Sequence, residues 1–155
     1  MREERSGFWG RFDHAIDDKG RVSIPARFRE VLQREGDDRL YITNFIRDGQ
    51  RFLELFPPSE WDKVVAKFSG SRVGDREAQW FETFYISGAH QLPVDRQGRI
   101  LVPPRLREFA RLGREVSFCA KHNRFELWDK ATLDRAWNMV EENLENPEFL
   151  AKINF

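Results

Sequence analysis

Cysteine is almost missing from this chain. The single residue, Cys119, has no partner for an internal disulfide, which fits a reducing cytosol. Long apolar runs are missing too. None approaches the roughly 18 residues of a membrane-spanning helix. The charged start, Met1-Arg2-Glu3-Glu4-Arg5, has no apolar stretch behind it to act as a signal peptide. A cytoplasmic protein without membrane association is the expectation. Net charge is absent: 26 Lys and Arg balance 26 Asp and Glu, which argues against an indiscriminately basic nucleic-acid coat. The catalytic inventory is equally thin. His14, His90 and His122 are scattered, and the Cys-x-x-His spacing of Cys119 and His122 has no second pair to complete a zinc site. No glycine-rich phosphate loop or nucleophile elbow is found. These gaps lead to the expectation of a non-enzyme with no metal, no cofactor and no small-molecule substrate.

What the chain does have is a duplicated stretch. Asp17-Asp18-Lys19-Gly20-Arg21-Val22-Ser23-Ile24-Pro25-Ala26-Arg27-Phe28-Arg29-Glu30 returns as Asp95-Arg96-Gln97-Gly98-Arg99-Ile100-Leu101-Val102-Pro103-Pro104-Arg105-Leu106-Arg107-Glu108, at a constant offset of 78 residues. Each copy opens with an aspartate, whose carboxylate can bond nearby backbone N–H groups in a turn. Glycine follows three residues later, where a positive φ costs it little. Arginine comes next, then a short strand with β-branched residues and a proline at the expected first helical position, Pro25 or Pro104. Each copy therefore reads as a hairpin tip, a strand and a basic helix start. The local charge is +1 over 17–30 and +2 over 95–108, whereas Glu141, Glu142, Glu145 and Glu148 make the end of the chain acidic.

The flanking pattern also repeats. Phe8 to Ile16 and Ala89 to Val94 read as strands entering the two turns. Phe28, Val31 and Leu32 stand on one face of a first helix stopped by Gly36; Leu106, Phe109 and Ala110 stand on a second, with Gly113 as the stop. Leu40 to Phe45 and Arg51 to Phe56 form a hairpin about Asp48-Gly49. Glu115 to Ala120 and Phe125-Glu126-Leu127-Trp128 form its counterpart, with Glu126 facing solvent and Asp129 as a helix N-cap. Ser59-Glu60-Trp61-Asp62 reads as a capping box opening a helix with Trp61, Val64, Val65 and Phe68 on one face. The stretch 69–74 reads as a linker, and Asp75 to Ile86 as a bridging helix bearing Trp80, Phe81, Phe84 and Tyr85. A last helix carries Leu133, Ala136, Trp137, Val140 and Leu144 and ends at Asn146-Pro147. The aromatics are assigned to core packing, with subunit contact by part of Trp80 to Tyr85 as the alternative.

The fold expected is α+β: a β-barrel shared by two pseudo-symmetric ββαββα halves with helices packed outside. The halves span 1–73 and 74–147, with 148–155 as a tail. Either half alone is small for a stable core.

The two Asp-x-x-x-Arg turns, the run Ile24-Pro25-Ala26-Arg27-Phe28-Arg29, Gly88-Ala89-His90 and Asn123-Arg124-Phe125-Glu126-Leu127-Trp128 resemble the MraZ family from about Phe8 to Trp137. Phe56 stands where the family usually has tyrosine before the proline. The resemblance implies the swapped-hairpin barrel of AbrB-type regulators. It implies a nucleoid-associated regulator of the division and cell-wall gene cluster, forming homo-oligomeric rings that bind short repeated boxes in promoter DNA. It also puts DNA contact on the turns at Asp17 to Arg21 and Asp95 to Arg99.

Arg21 and Arg99 would grip phosphates or read guanine edges; the bland alternative is an Arg–Asp pair that only pins each hairpin. Lys19 and Arg96, inside the turns, and Arg27 and Arg105, near helix starts that favour phosphate, are secondary DNA-contact candidates. Arg29 and Arg107 are weaker candidates still. Asp17 and Asp95 would be repelled by phosphate, so their expected role, with Gly20 and Gly98, is to shape the turn and aim the arginine. The alternative to a promoter-binding regulator is an antitoxin-like protein-interaction module built on the same barrel.

Overall fold

The computed structural model describes residues 7–69 and 75–154; residues 70–74 of the expected linker, and with them the 73/74 boundary between halves, lie outside the described residues. The first motif runs through β1 (Arg11–Ala15), β2 (Arg21–Ser23), α1 (Ala26–Arg34), β3 (Arg39–Arg47), β4 (Gln50–Phe56) and α2 (Pro58–Ser69). A bridging helix, α3 (Arg76–Ile86), leads to the second, β5 (His90–Pro93), β6 (Arg99–Leu101), α4 (Pro104–Phe109), β7 (Glu115–Ala120), β8 (Phe125–Asp129) and α5 (Lys130–Asn143). The tail is helical, α6 (Pro147–Ile153). Asn146 caps it through its side chain and Pro147 occupies its first turn, so the proline that ends one helix begins another.

The strands form an antiparallel six-stranded sheet in the order β1-β7-β8-β4-β3-β5 and a separate two-stranded ribbon, β2-β6. The large sheet is open, with β1 and β5 at its edges, so the expected closed barrel is not formed. The reason lies in the turns. β1 and β2 are joined across the first tip by the Asp17 N–H to Arg21 C=O bond, not by a ladder, and β2 spends its ladder bonds on β6.

The halves interleave: β1 pairs with β7, and β3 with β5. The ribbon register, Arg21↔Leu101, Val22↔Ile100 and Ser23↔Arg99, is symmetric about Val22↔Ile100. The central pair of the sheet, Leu53↔Leu127, Glu54↔Glu126 and Leu55↔Phe125, is symmetric about Glu54↔Glu126. An approximate twofold axis therefore runs through both pairs.

The main core lies between ribbon and sheet. Phe28 of α1 is fully buried there and meets Phe8, Phe12, Phe118 and Phe125. Leu32 of α1 and Leu106 of α4 join the same cluster. Leu53, Leu55, Phe125 and Leu127 point into this core, while Phe52, Phe56 and Trp128 point the other way, into clusters with Leu133 of α5 and with Trp61 and Tyr85 of α2 and α3. The central strands are thus covered on both faces.

Several local expectations need correction. Glu126 is buried, not solvent-facing, and its carboxylate accepts hydrogen bonds from Trp128 Nε1 and Arg47. Its opposite number Glu54 is buried too, bonded by Tyr85 Oη and by Arg124 at 2.8 Å. α2 begins at Pro58, so Ser59 lies inside the first turn and does not cap it. Pro25 precedes the first helical residue of α1, whereas Pro104 is the first residue of α4. α4 stops at Ala110, followed by Arg111 in the left-handed region, before Gly113; the Gly113 N–H is taken by Asp129 Oδ1 instead. The core assignment of the aromatics fails for Trp80, which is 69% exposed, and for Trp137; the later half of the α5 stripe, Val140 and Leu144, also faces outward.

Candidate nucleic-acid interface

The two turns are copies of one another at the level of single hydrogen bonds. In the first, Asp17 Oδ1 accepts from the Lys19 and Arg21 backbone N–H groups at 3.0 and 2.8 Å, and Oδ2 accepts from Arg21 Nε at 2.7 Å. In the second, Asp95 Oδ1 accepts from Gln97 and Arg99 at 2.9 Å each, and Oδ2 from Arg99 Nε at 3.1 Å. The Gly20 and Gly98 N–H groups close the turns on the Asp17 and Asp95 carbonyls, with φ of +90° and +77°. Only glycine takes such angles without strain. The bonds from the Arg21 backbone and guanidinium hold the Asp17 carboxyl below the usual carboxylate range; those from Arg99 do the same for Asp95.

The aspartate thus engages the Nε edge of each arginine. Among the described residues the two terminal nitrogens of Arg21 and of Arg99 make no hydrogen bond, so the outer edge of each guanidinium is presented to solvent. Both side chains remain substantially exposed, at 43% and 37%. Arg21, Ser23, Arg99 and Leu101 share the outer face of the ribbon, because Val22 and Ile100 between them are buried in the core. Lys19 and Arg96 stand exposed at the turn tips.

Each turn is braced by the other half. Ile24 N–H donates to the Gly98 carbonyl and Val102 N–H to the Gly20 carbonyl, both at 2.8 Å. Arg29 of α1 lies over Gly98, and its guanidinium donates to the Gln97 carbonyl at 3.3 Å. Arg107 of α4 lies over Gly20 and donates to the Val102 carbonyl at 3.2 Å. A β-carbon on Gly98 would fall 2.2 Å from Arg29 Cδ, and one on Gly20 would fall 2.6 Å from Arg107 Nε. The glycines therefore serve two ends: they permit the backbone angle and leave room for a guanidinium from the opposite copy.

The remaining basic candidates are engaged differently. Arg27 lays its guanidinium over the Trp9 ring at 4.4 Å. Arg105 donates to Asn44 Oδ1 at 3.2 Å and to the Gly88 carbonyl at 2.9 Å, tying α4 to β3 and to the end of α3. Arg29 and Arg107, the weakest candidates from the sequence, are the residues that support the turns. The clue available to a reader of sequence was their shared place four residues after Pro25 and Pro103.

Among the described residues no group of three or more His, Cys, Asp or Glu is arranged to hold a metal ion, and no helix is long and apolar enough to cross a membrane. Burial, with the nearby Glu126 carboxylate, pushes the Cys119 thiol above its ordinary pKa.

Comparison with known proteins places this geometry in a family. The family model described as "MraZ protein, putative antitoxin-like" matches residues 8–81 and 85–152. A Roseiflexus sp. (strain RS-1) protein named "Transcriptional regulator MraZ" is 40% identical over 133 residues, covering 86% of this chain and 85% of that relative. Proteins of the same name from Thermomicrobium roseum and Syntrophobacter fumaroxidans are 42% and 39% identical, covering 78% and 93% of this chain and 80% and 94% of those relatives. Those names describe regulators, not enzymes. With nearly its whole length matched, this chain belongs to the MraZ family.

Proposed function

We propose that this chain is a sequence-specific DNA-binding transcriptional regulator that acts on the promoter of its own division and cell-wall gene cluster. The observation that carries the reading is the outer face of the β2-β6 ribbon, where two arginines, each anchored by its aspartate, present their free edges at diagonally opposite positions. A two-stranded ribbon fits the roughly 12 Å width of the major groove, and an arginine held by one edge keeps the paired donors that guanine O6 and N7 accept. Lys19 and Arg96 at the tips would add phosphate contacts, with Arg27, stacked on Trp9, and Arg105, already held by Asn44 and the Gly88 carbonyl, as secondary candidates. The interleaved pairing of the halves fits a swapped-hairpin arrangement of AbrB type in which 1–73 and 74–147 are the two repeats.

The charge of each turn region is small, +1 and +2, so one ribbon would bind a duplex weakly. A homo-oligomeric ring engaging repeated boxes raises the effective concentration of each later contact and can gain about 10²–10⁴ in avidity. Outward-facing Trp80 and the half-exposed Phe84 on α3, with Val140 and Leu144 on α5, are the faces we assign to contact between copies. Nucleoid association in the cytoplasm follows from the same reading.

The test is binding to the DNA upstream of the protein's own gene, first with all its repeats and then with one. Affinity should fall steeply, by tenfold or more, as the repeats are removed. Tight binding of a monomer to a single box at physiological salt would contradict it. The family description favours a second reading, an antitoxin-like protein-binding module. On that reading no duplex is bound and the arginines are surface anchors for a protein.

A further inference from the structure

The ribbon is nearly symmetric, and the place where symmetry fails is its outer face. The twofold through Val22↔Ile100 relates Arg21 to Arg99 and Ser23 to Leu101. Arg21 therefore lies directly across from an aliphatic side chain, and Arg99 directly across from a hydroxyl. Leu101 is 54% exposed although its neighbours on both sides along the strand, Ile100 and Val102, are buried. It packs into none of the core clusters.

We infer that Leu101 determines specificity by reading the C5 methyl of a pyrimidine beside the guanine taken by Arg21, so that each protomer recognises an asymmetric box. The inference rests on the DNA-reading role proposed above. Cross-strand neighbours stand about 5 Å apart, and successive bases about 3.4 Å, so Leu101 meets the same base pair as Arg21 or the next one. An aliphatic group offers the groove nothing but apolar contact, which only the thymine methyl returns. Ser23 beside Arg99 accepts or donates and discriminates little. Guanines at the two ends of the ribbon are thus read alike, while the bases beside them are not.

The experiment selects duplexes for the full-length protein from a randomised library, then replaces each thymine of the enriched duplex singly by deoxyuridine, which removes one methyl. We expect a non-palindromic motif, one thymine per box whose replacement weakens binding by about fourfold, and no such loss for Leu101→Ser. The reciprocal Ser23→Leu should gain a second methyl-sensitive position at the Arg99 end. Wild-type protein indifferent to every thymine methyl, or Leu101→Ser as sensitive as wild type, overturns the inference while leaving DNA binding intact. The deoxyuridine series on wild-type protein decides the matter even if a variant folds poorly. Failure to enrich any duplex, or unaltered binding by both Arg21→Ala and Arg99→Ala, overturns the DNA-reading role and this inference with it.

Discussion

Replacing Gly98 by alanine tests whether the second turn is built by the first half of the chain. Two separable effects should appear. At φ +77° an L-residue incurs about 1–2 kcal/mol of backbone strain. The new β-carbon would also lie 2.2 Å from Arg29 Cδ and 2.5 Å from its terminal nitrogen, so the guanidinium must leave and its bond to the Gln97 carbonyl is lost. A net hydrogen bond contributes about 1 kcal/mol, so Gly98→Ala should destabilise by about 2–3 kcal/mol. Gly36→Ala is the control: φ is +74° but nothing lies within 4 Å, so it should show the strain alone. In an Arg29→Ala background the clash is already gone, and Gly98→Ala should fall to the control value. The double variant is then about 1 kcal/mol less destabilised than the sum of the singles, readable from urea midpoints at constant slope. Gly20→Ala should be rescued less by Arg107→Ala, because its β-carbon also meets the Val102 carbonyl at 2.9 Å and backbone cannot swing aside. Additivity of Gly98→Ala and Arg29→Ala within about 0.3–0.5 kcal/mol would refute the bracing of one copy by the other.

Other outcomes follow from the same geometry. Lys19→Ala and Arg96→Ala should leave thermal stability unchanged but each reduce the slope of log affinity against log salt by about 1, as loss of one phosphate contact does; unchanged slopes would remove them from the interface. Arg124→Ala leaves the buried Glu54 carboxylate with Tyr85 Oη, and because Arg124 is itself part-exposed we expect a loss of about 2–3 kcal/mol, partly recovered by Glu54→Gln. Asp17 and Asp95 have folded pKa values below their ordinary 3.8, so their contribution to the turns is complete above that value and is lost as pH falls through the lower folded value. DNA affinity should therefore show no titration from these groups between about pH 5 and 8. A transition in that range abolished by Asp17→Asn would contradict the assignment.

The duplication made most of the element order readable, since each Asp-to-Gly turn, strand and helix start is dictated by local chemistry repeated 78 residues later. What local chemistry does not carry is pairing. That β1 lies on β7, and that the ribbon separates from the sheet instead of closing a barrel, depends on contacts between residues about a hundred positions apart. The burial of Glu126 escapes a local reading for the same reason. In Phe125-Glu126-Leu127-Trp128 the apolar-polar alternation reads as one wet face, yet both faces are covered and the carboxylate is held by Trp128 and Arg47. Arg29 reads in sequence as one more surface cation because its partner Gln97 lies 68 residues away. The amphipathic stripe of α5 is real in the sequence, but an apolar face does not say that its partner belongs to the same chain, and Trp137 faces outward.

The most direct measurement is the affinity of the assembled protein for the DNA upstream of its own gene, by fluorescence anisotropy at fixed salt, comparing wild type with Arg21→Ala and Arg99→Ala. A guanidinium reading guanine through two bonds contributes about 1–3 kcal/mol. Each substitution should therefore weaken binding by about 5- to 150-fold with melting temperature unchanged, since the exposed Asp–Arg pairs add little to stability. Wild-type affinity retained by both variants would contradict the account.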